Sequence, residues 1–410
     1  MTDNLLDAPI DSSLDDQNAS QLISIKEISK KFLSGDKDVI FFTGAGFSRA
    51  WHHDYPTGWS LFSIDFGDIT KNYNFLRLAD KLHIARPSKT IEARLLQEIE
   101  SASNELDRYK LTLELNEKNY EKQCYEFFSN IKYHLDLYKK YPGMLPNFLD
   151  LTLIKGIEDE IKSFVKKRFC ELASKDKPLD VSYTSKGDRN IIYFFEKLKN
   201  AEVNINFIST NYDFIIEKIF SNLGIASLDR GVIERKTLEN YEWNNNDIGV
   251  YKLNGGFEIF SNKNGYYIDY GKTTADFNKT TANNNKDIEW DSASIIIPSQ
   301  EQDYSDKYFE NCFIKASNKL REASVLVFVG YSLPIEDNAI RFMLKNFVDC
   351  SSNQLKNKQV YVISASKESA LNVLVRVKDL FPRLIRADED HSIKALDGSF
   401  SKLAEYMANN

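Results

Sequence analysis

The chain has 410 residues, a formal net charge of −7, and 42% hydrophobic and 28% charged residues. That length supports a sizeable core in one large domain or two modest ones, and the composition excludes wholesale disorder. The acidic sum argues against strong direct nucleic-acid binding, which needs clustered Lys and Arg.

Residues 1–20 are polar and acidic, without an apolar run of signal-peptide type, and read as a solvated tail. No stretch approaches the ~18 uninterrupted apolar residues of a membrane span. A cytoplasmic protein with no membrane contact is expected. Leu22, Ile25, Ile28 and Phe32 recur at helical spacing, ending at Ser34-Gly35. Val39–Phe42 is a short apolar run, as expected for a strand buried on both faces, and it leads into Thr43-Gly44-Ala45-Gly46-Phe47-Ser48.

From about residue 70 to 200 the pattern is mostly helical. One stripe holds Ile154, Ile157, Ile161, Phe164, Val165, Phe169 and Leu172, and a later helix holds Ile191, Ile192, Phe195 and Leu198. This block is too large for a crossover and reads as an inserted module. Strand signals return at Val203–Thr210, Val325–Val329 and Val360–Ile363, followed by helical patterns at Phe214–Leu223, Ala339–Phe347 and Ala370–Val377. Residues 224–300, with Asn244-Asn245-Asn246 and Asn283-Asn284-Asn285, read as exposed loops between short strands. No internal repeat is visible.

The expected fold class is α/β, a Rossmann-like doubly wound parallel sheet with a large helical insertion subdomain. Residues 21–70 and 201–410 would form the sheet domain and 71–200 the insertion. Cys124, Cys170, Cys312 and Cys350 lie far apart with no C-x-x-C pair, which argues against a zinc ribbon and for a reducing compartment. No metal is expected.

Four places carry candidate chemistry. Gly44-Ala45-Gly46 follows a buried strand, where glycines let the backbone turn tightly beside a pyrophosphate met by helix N–H groups. The third glycine of G-x-G-x-x-G is missing, and a plain strand-to-helix turn is the alternative. Ser209-Thr210-Asn211-Tyr212-Asp213 ends the next strand. There Asn211 can donate and accept, and Asp213 can take a ribose hydroxyl or cap the following helix. Lys252-Leu253-Asn254-Gly255 reads equally as a site or as a type I′ hairpin turn. Gly330-Tyr331-Ser332-Leu333-Pro334 offers close backbone approach and a hydroxyl. Three of the four follow candidate parallel strands, whose ends share one rim, so a common crevice for a dinucleotide, NAD above all, is expected.

In order and spacing these segments, with Tyr55-Pro56-Thr57-Gly58-Trp59 and Asp337, resemble the sirtuin-like NAD-binding family, and within it the bacterial antiphage-defence branch. The resemblance spans residues 39 to about 345. It implies NAD held between a Rossmann-like domain and a helical subdomain. Deacylase members carry a zinc module with two Cys pairs, absent here; the defence branch hydrolyses NAD to nicotinamide and ADP-ribose in abortive infection. It also implies a homo-oligomer and a separate partner of the HerA-type ATPase or translocase kind, or an Argonaute. Carried over by residue, Gly44, Ala45, Gly46 and Ser48 would hold the pyrophosphate, with Thr210 also binding the cofactor. Asn211 would orient the nicotinamide ribose or water, Asp213 and Asn254 would contact the ribose, and Gly330 and Ser332 would line the adenosine side.

One departure stands out: the family has His after Lys-Leu where this chain has Asn254. An amide cannot take a proton near neutral pH. Two accounts follow. Either cleavage proceeds without that base through an oxocarbenium-like state, or the chain is a non-catalytic NAD or ADP-ribose sensing subunit. His52, His53, His83, His134 and His391 all lie outside the strand-end motifs, and His52 and His53 read as surface-loop residues.

Overall fold

A computed structural model of the chain describes residues 21–34, 37–57, 60–61, 73–88, 104–176, 185–225, 228–231, 248–262, 265–268, 293–297, 302–387 and 392–410. The 1–20 tail, Gly58-Trp59, the two Asn runs and His391 lie outside the described residues.

Seven parallel strands form the main sheet: β1 (Leu22–Ile23), β2 (Asp38–Thr43), β3 (Asn204–Ser209), β4 (Val250–Lys252), β8 (Val325–Val329), β9 (Gln359–Ser364) and β10 (Ile393–Ser399). Their order is β1-β10-β9-β8-β2-β3-β4. From β2 the chain steps outward to β3 and β4, then returns to lay β8 on the other side of β2. That reversal makes the β2/β8 boundary the switch point of a doubly wound sheet, the place where open α/β folds bind ligands.

Side chains alternate across a strand, and the run Val39-Ile40-Phe41-Phe42 shows it. Val39 and Phe41 join Phe207 and Val327 in one core with Phe194, Phe195, Phe400 and Leu403. Ile40 and Phe42 join Ile208, Leu326 and Phe328 in the other, with Leu320, Leu344 and Leu374. The strand is apolar throughout because both faces are covered. The first layer comes from α1 (Ile25–Phe32), α6 (Lys186–Asn200) and α13 (Phe400–Asn409), and the second includes α8 (Lys307–Glu322), α9 (Asn338–Leu344) and α11 (Lys367–Leu380).

The structure departs from the sequence reading in three local ways. Leu22 and Ile23 pair with Ala395 and Leu396 as a strand, and the helix starts after Ser24, whose hydroxyl accepts from Glu27 N–H. Strand β10, Ile393–Ser399, gave no signal because polar residues interrupt it. Helix α6, inside the segment read as an insertion, lies against the sheet: the Phe195 ring meets Phe41 at 5.1 Å and Phe207 at 5.2 Å.

Between β2 and α6 lie α2 (Ala45–Trp51), α3 (Tyr73–Lys81), α4 (Glu105–Lys140) and α5 (Leu151–Lys175). In the α4–α5 hairpin Phe127, Phe128, Ile131 and Leu135 share a core with Ile154, Ile157, Ile161 and Val165. Helix α7 (Ile215–Asn222) follows β3. A second, antiparallel sheet has β5 (Gly255–Asn262) between β6 (Gly265–Ile268) and β7 (Ala293–Ile295).

Candidate functional site

Register places four strand ends in one row. Thr43 on β2 is level with Val329 on β8 and Ser209 on β3, and Ser209 is level with Lys252 on β4. The next residues, Gly330, Gly44, Thr210 and Leu253, therefore leave the sheet side by side. All four sequence motifs meet at one rim.

At the switch point the two glycine loops touch backbone to backbone. Gly44 N–H donates to Val329 C=O at 3.1 Å and Gly46 N–H to Gly330 C=O at 2.9 Å. A Cβ on Gly46 would fall 2.6 Å from Gly330 Cα, and one on Gly330 would fall 2.3 Å from the Gly46 carbonyl carbon. Gly330 also has φ +62, in the left-handed region that glycine enters without steric cost. These glycines are required first for loop-on-loop packing, a partner invisible in either motif alone. Gly44 is the N-cap of α2, which starts at Ala45.

Asn211 joins the glycine loop to β3. Its Nδ2 donates to Gly44 C=O at 2.9 Å and to Ser48 Oγ at 2.8 Å, while Ser48 Oγ donates to Asp213 Oδ2 at 2.5 Å. Beneath it the Thr43 hydroxyl donates to Ser209 Oγ at 2.8 Å, and Ser209 Oγ accepts from Asn211 N–H. Asp213 is 3% exposed, and its Oδ1 accepts from Ile215 N–H at 3.2 Å. Both carboxylate oxygens are thus engaged by protein: Asp213 accepts from the first N–H of α7, whose N-cap is Phe214, and holds Ser48. Burial raises its carboxyl to about 6, against the opposing pull of the Ser48 hydrogen bond and Lys252.

Below the rim lies a set of buried charges with no warning in the sequence. Lys252 Nζ donates to Asp213 C=O at 2.5 Å and pairs with Glu217 and Glu258, each at 2.8 Å. Arg230 pairs with Glu217 at 2.8 Å and with Glu258. Although burial opposes it, the two cations hold the Glu258 carboxyl below the usual range.

Leu253-Asn254 is a turn but not a hairpin: β4 belongs to the main sheet and β5 to the small one, so the turn passes the chain between sheets. Gly255 takes φ +78 there. Asn254 Nδ2 donates to Thr210 C=O at 3.4 Å, and its Oδ1 accepts from Tyr304 OH at 3.0 Å. Tyr304 was missed because it lies 50 residues away in sequence. Thr210 N–H donates to Thr43 C=O at 3.0 Å, and its hydroxyl faces the same oxygen at 3.4 Å. Ser332 is exposed, with its carbonyl accepting from Arg376 at 2.9 Å. Tyr331 OH donates to Asp337 at 2.5 Å.

The helical unit reaches the site through Asp176, just past α5. This 3%-exposed carboxylate accepts from Trp51 Nε1 at 3.0 Å and Tyr55 OH at 2.5 Å, and pairs with Lys218 at 3.4 Å. At the C-terminal end of α2, His52, His53 and Asp54 place three ligand atoms within 4.8 Å of one another, the only such metal-competent group among the described residues. That group is solvent-facing, one helix length from the glycine loop. No helix among the described residues is long and apolar enough to cross a membrane.

With the rim assembled from Asn211, Asn254 and Gly330, comparison with known families can be placed on it. Residues 205–383 match the SIR2-like domain. The SIR2-like span starts inside β3 and contains Asn211, Asp213, Asn254, Gly330 and Ser332. Gly44–Ser48 precedes it, and joins it through the Asn211 and Gly330 contacts above. No curated protein matches the chain. A solved structure described as the structural basis for the mechanism and regulation of Sir2 enzymes aligns over 94% of this chain and 96% of its own, at 10% identity and a TM-score of 0.37.

Proposed function

We propose that this chain is an NAD hydrolase, cleaving NAD to nicotinamide and ADP-ribose at the rim of the parallel sheet. The observation that carries this reading is the Asn211–Gly44–Ser48–Asp213 network, which fixes a polar amide and a helix N-terminus to the same point of the switch. The N-terminus of α2 at Ala45 would receive the anionic pyrophosphate, with Gly44 and Gly46, whose own N–H groups bond Val329 and Gly330, allowing close backbone approach. Ser48 would hold the loop in place through Asp213, while Thr210 and Ser332 would flank the nucleotide. Asn211 and Asn254 would orient the nicotinamide ribose and the attacking water. Breaking the C–N glycosidic bond builds positive charge on the ribose, nicotinamide leaves neutral, and water adds to the anomeric carbon with release of a proton. Positioning, rather than a base at residue 254, supplies the rate.

The test is nicotinamide release from NAD by the purified chain, alone and with the product of a neighbouring gene. Asn211→Ala should lose on the order of 100-fold in rate, the scale on which misplacing a reacting group acts. Full activity in that variant would refute the assignment. Asn254 favours a second reading, a subunit that binds NAD or ADP-ribose without turnover. Calorimetric binding with no nicotinamide release under any partner condition would select it. A role as an abortive-infection effector, in a homo-oligomer with a HerA-type partner, extends the proposal on the strength of the sequence resemblance. Co-purification and phage challenge of cells carrying Asn211→Ala test that extension.

A further inference from the structure

We infer that Tyr304 is a positioning residue that fixes the orientation of the Asn254 amide, a role that rests on the proposed NAD cleavage for its kinetic consequence. The hydrogen bonds of Asn254 set the direction of its amide. The Thr210 carbonyl can only accept, so the Asn254 group facing it at 3.4 Å is the NH2. Asn254 Oδ1 then faces Tyr304 OH at 3.0 Å and takes its proton. The same hydroxyl also faces Gln302 Oε1 at 2.7 Å, so its single proton is shared between two amide oxygens. Tyr304 thus stands between Gln302 and Asn254 as the donor to both. Among the described residues Thr210 alone accepts from the Asn254 amide, which leaves its second N–H for a ligand at the rim.

Tyr304 is built for this task. Its ring is held against Phe313 at 4.6 Å and Phe309 at 6.2 Å, both on α8. The Asn254 backbone is fixed as well, its carbonyl accepting from Ile296 N–H at 2.8 Å. Burial first, then the nearby Asp337 and Tyr212, push the phenol pKa up, so the hydroxyl stays a donor. A side chain at residue 254 that cannot act as a base is thereby held as an oriented donor toward the bound ribose. Without the tyrosine hydroxyl only the 3.4 Å bond to the Thr210 carbonyl opposes a flip that would present oxygen instead.

Two measurements on the full chain test this. In steady-state NAD cleavage, Tyr304→Phe should lower kcat about tenfold with KM little changed, as expected for lost orientation of one donor. In the Asn254→Ala background the same substitution should add no further loss, because its effect passes through residue 254. Equal losses in both backgrounds would overturn the inference and assign Tyr304 a packing role. The second measurement needs no turnover. In protein labelled with 15N-asparagine, the Asn254 side-chain amide signal, assigned by its loss in Asn254→Asp, should shift and broaden in Tyr304→Phe. An unchanged signal would refute the contact. If the wild-type chain and its partner complex release no nicotinamide, the hydrolase reading fails while the amide signal still decides the role of Tyr304.

Discussion

Asp213 carries a carboxyl that burial raises from 3.8 to about 6. A group whose folded pKa lies above its unfolded value binds its proton more tightly in the folded state. Its contribution therefore favours folding at low pH and is lost as pH climbs between those two values. Asn at the same position cannot titrate. The stability of Asp213→Asn relative to wild type, from urea midpoints, should rise across that interval and level off above about pH 6. A difference flat with pH would show that the carboxyl is not raised. Residue type alone suggested a ribose ligand or a helix cap for Asp213; the N-cap is Phe214, and Asp213, one residue earlier, accepts from Ile215 N–H. Asn211 was legible as a strand-end polar group. Its two acceptors were not, because Gly44 and Ser48 lie 167 and 163 residues away.

Strands and loops obey a different logic, in which glycines report their neighbours. Gly330 sits at φ +62 with the Gly46 backbone where a Cβ would go. Gly330→Ala should cost at least the ~1–2 kcal/mol of a left-handed L-residue, lower the thermal midpoint, and weaken NAD binding by displacing the α2 N-terminus. Gly156 is the contrasting case. It lies exposed within α5, and a Cβ there would meet nothing within 4 Å. Gly156→Ala should stabilise the chain by roughly 0.5–1 kcal/mol, the helix-interior difference between the two residues. The buried strands were readable because apolar runs such as Val325–Val329 have no other explanation at that length. The turn at Asn254 was ambiguous for a physical reason. A hairpin and a crossing between sheets both need a tight turn after an apolar strand, and only the distant pairing partners tell them apart.

Across the whole molecule, β4 and β5 join the two sheets, and Lys252, Glu217, Glu258 and Arg230 lock that joint. Local pattern could not announce this quartet: Lys252 was visible only as part of a strand-end motif, and its three partners read as ordinary surface charges. Lys252→Met should cost about 3–5 kcal/mol, because it leaves two buried carboxylates to share Arg230 alone. Chemical denaturation would measure the loss, and a cost below about 1 kcal/mol, the usual worth of an exposed pair, would mean the joint is solvated. The quartet holds two positive and two negative groups, and water scarcely reaches it. Added salt screens exposed pairs such as Lys186 with Glu405 but passes over charges buried this deeply. Ionic strength thus becomes a selective probe: it weakens the fastenings of the outer surface and leaves the floor beneath the rim as it was.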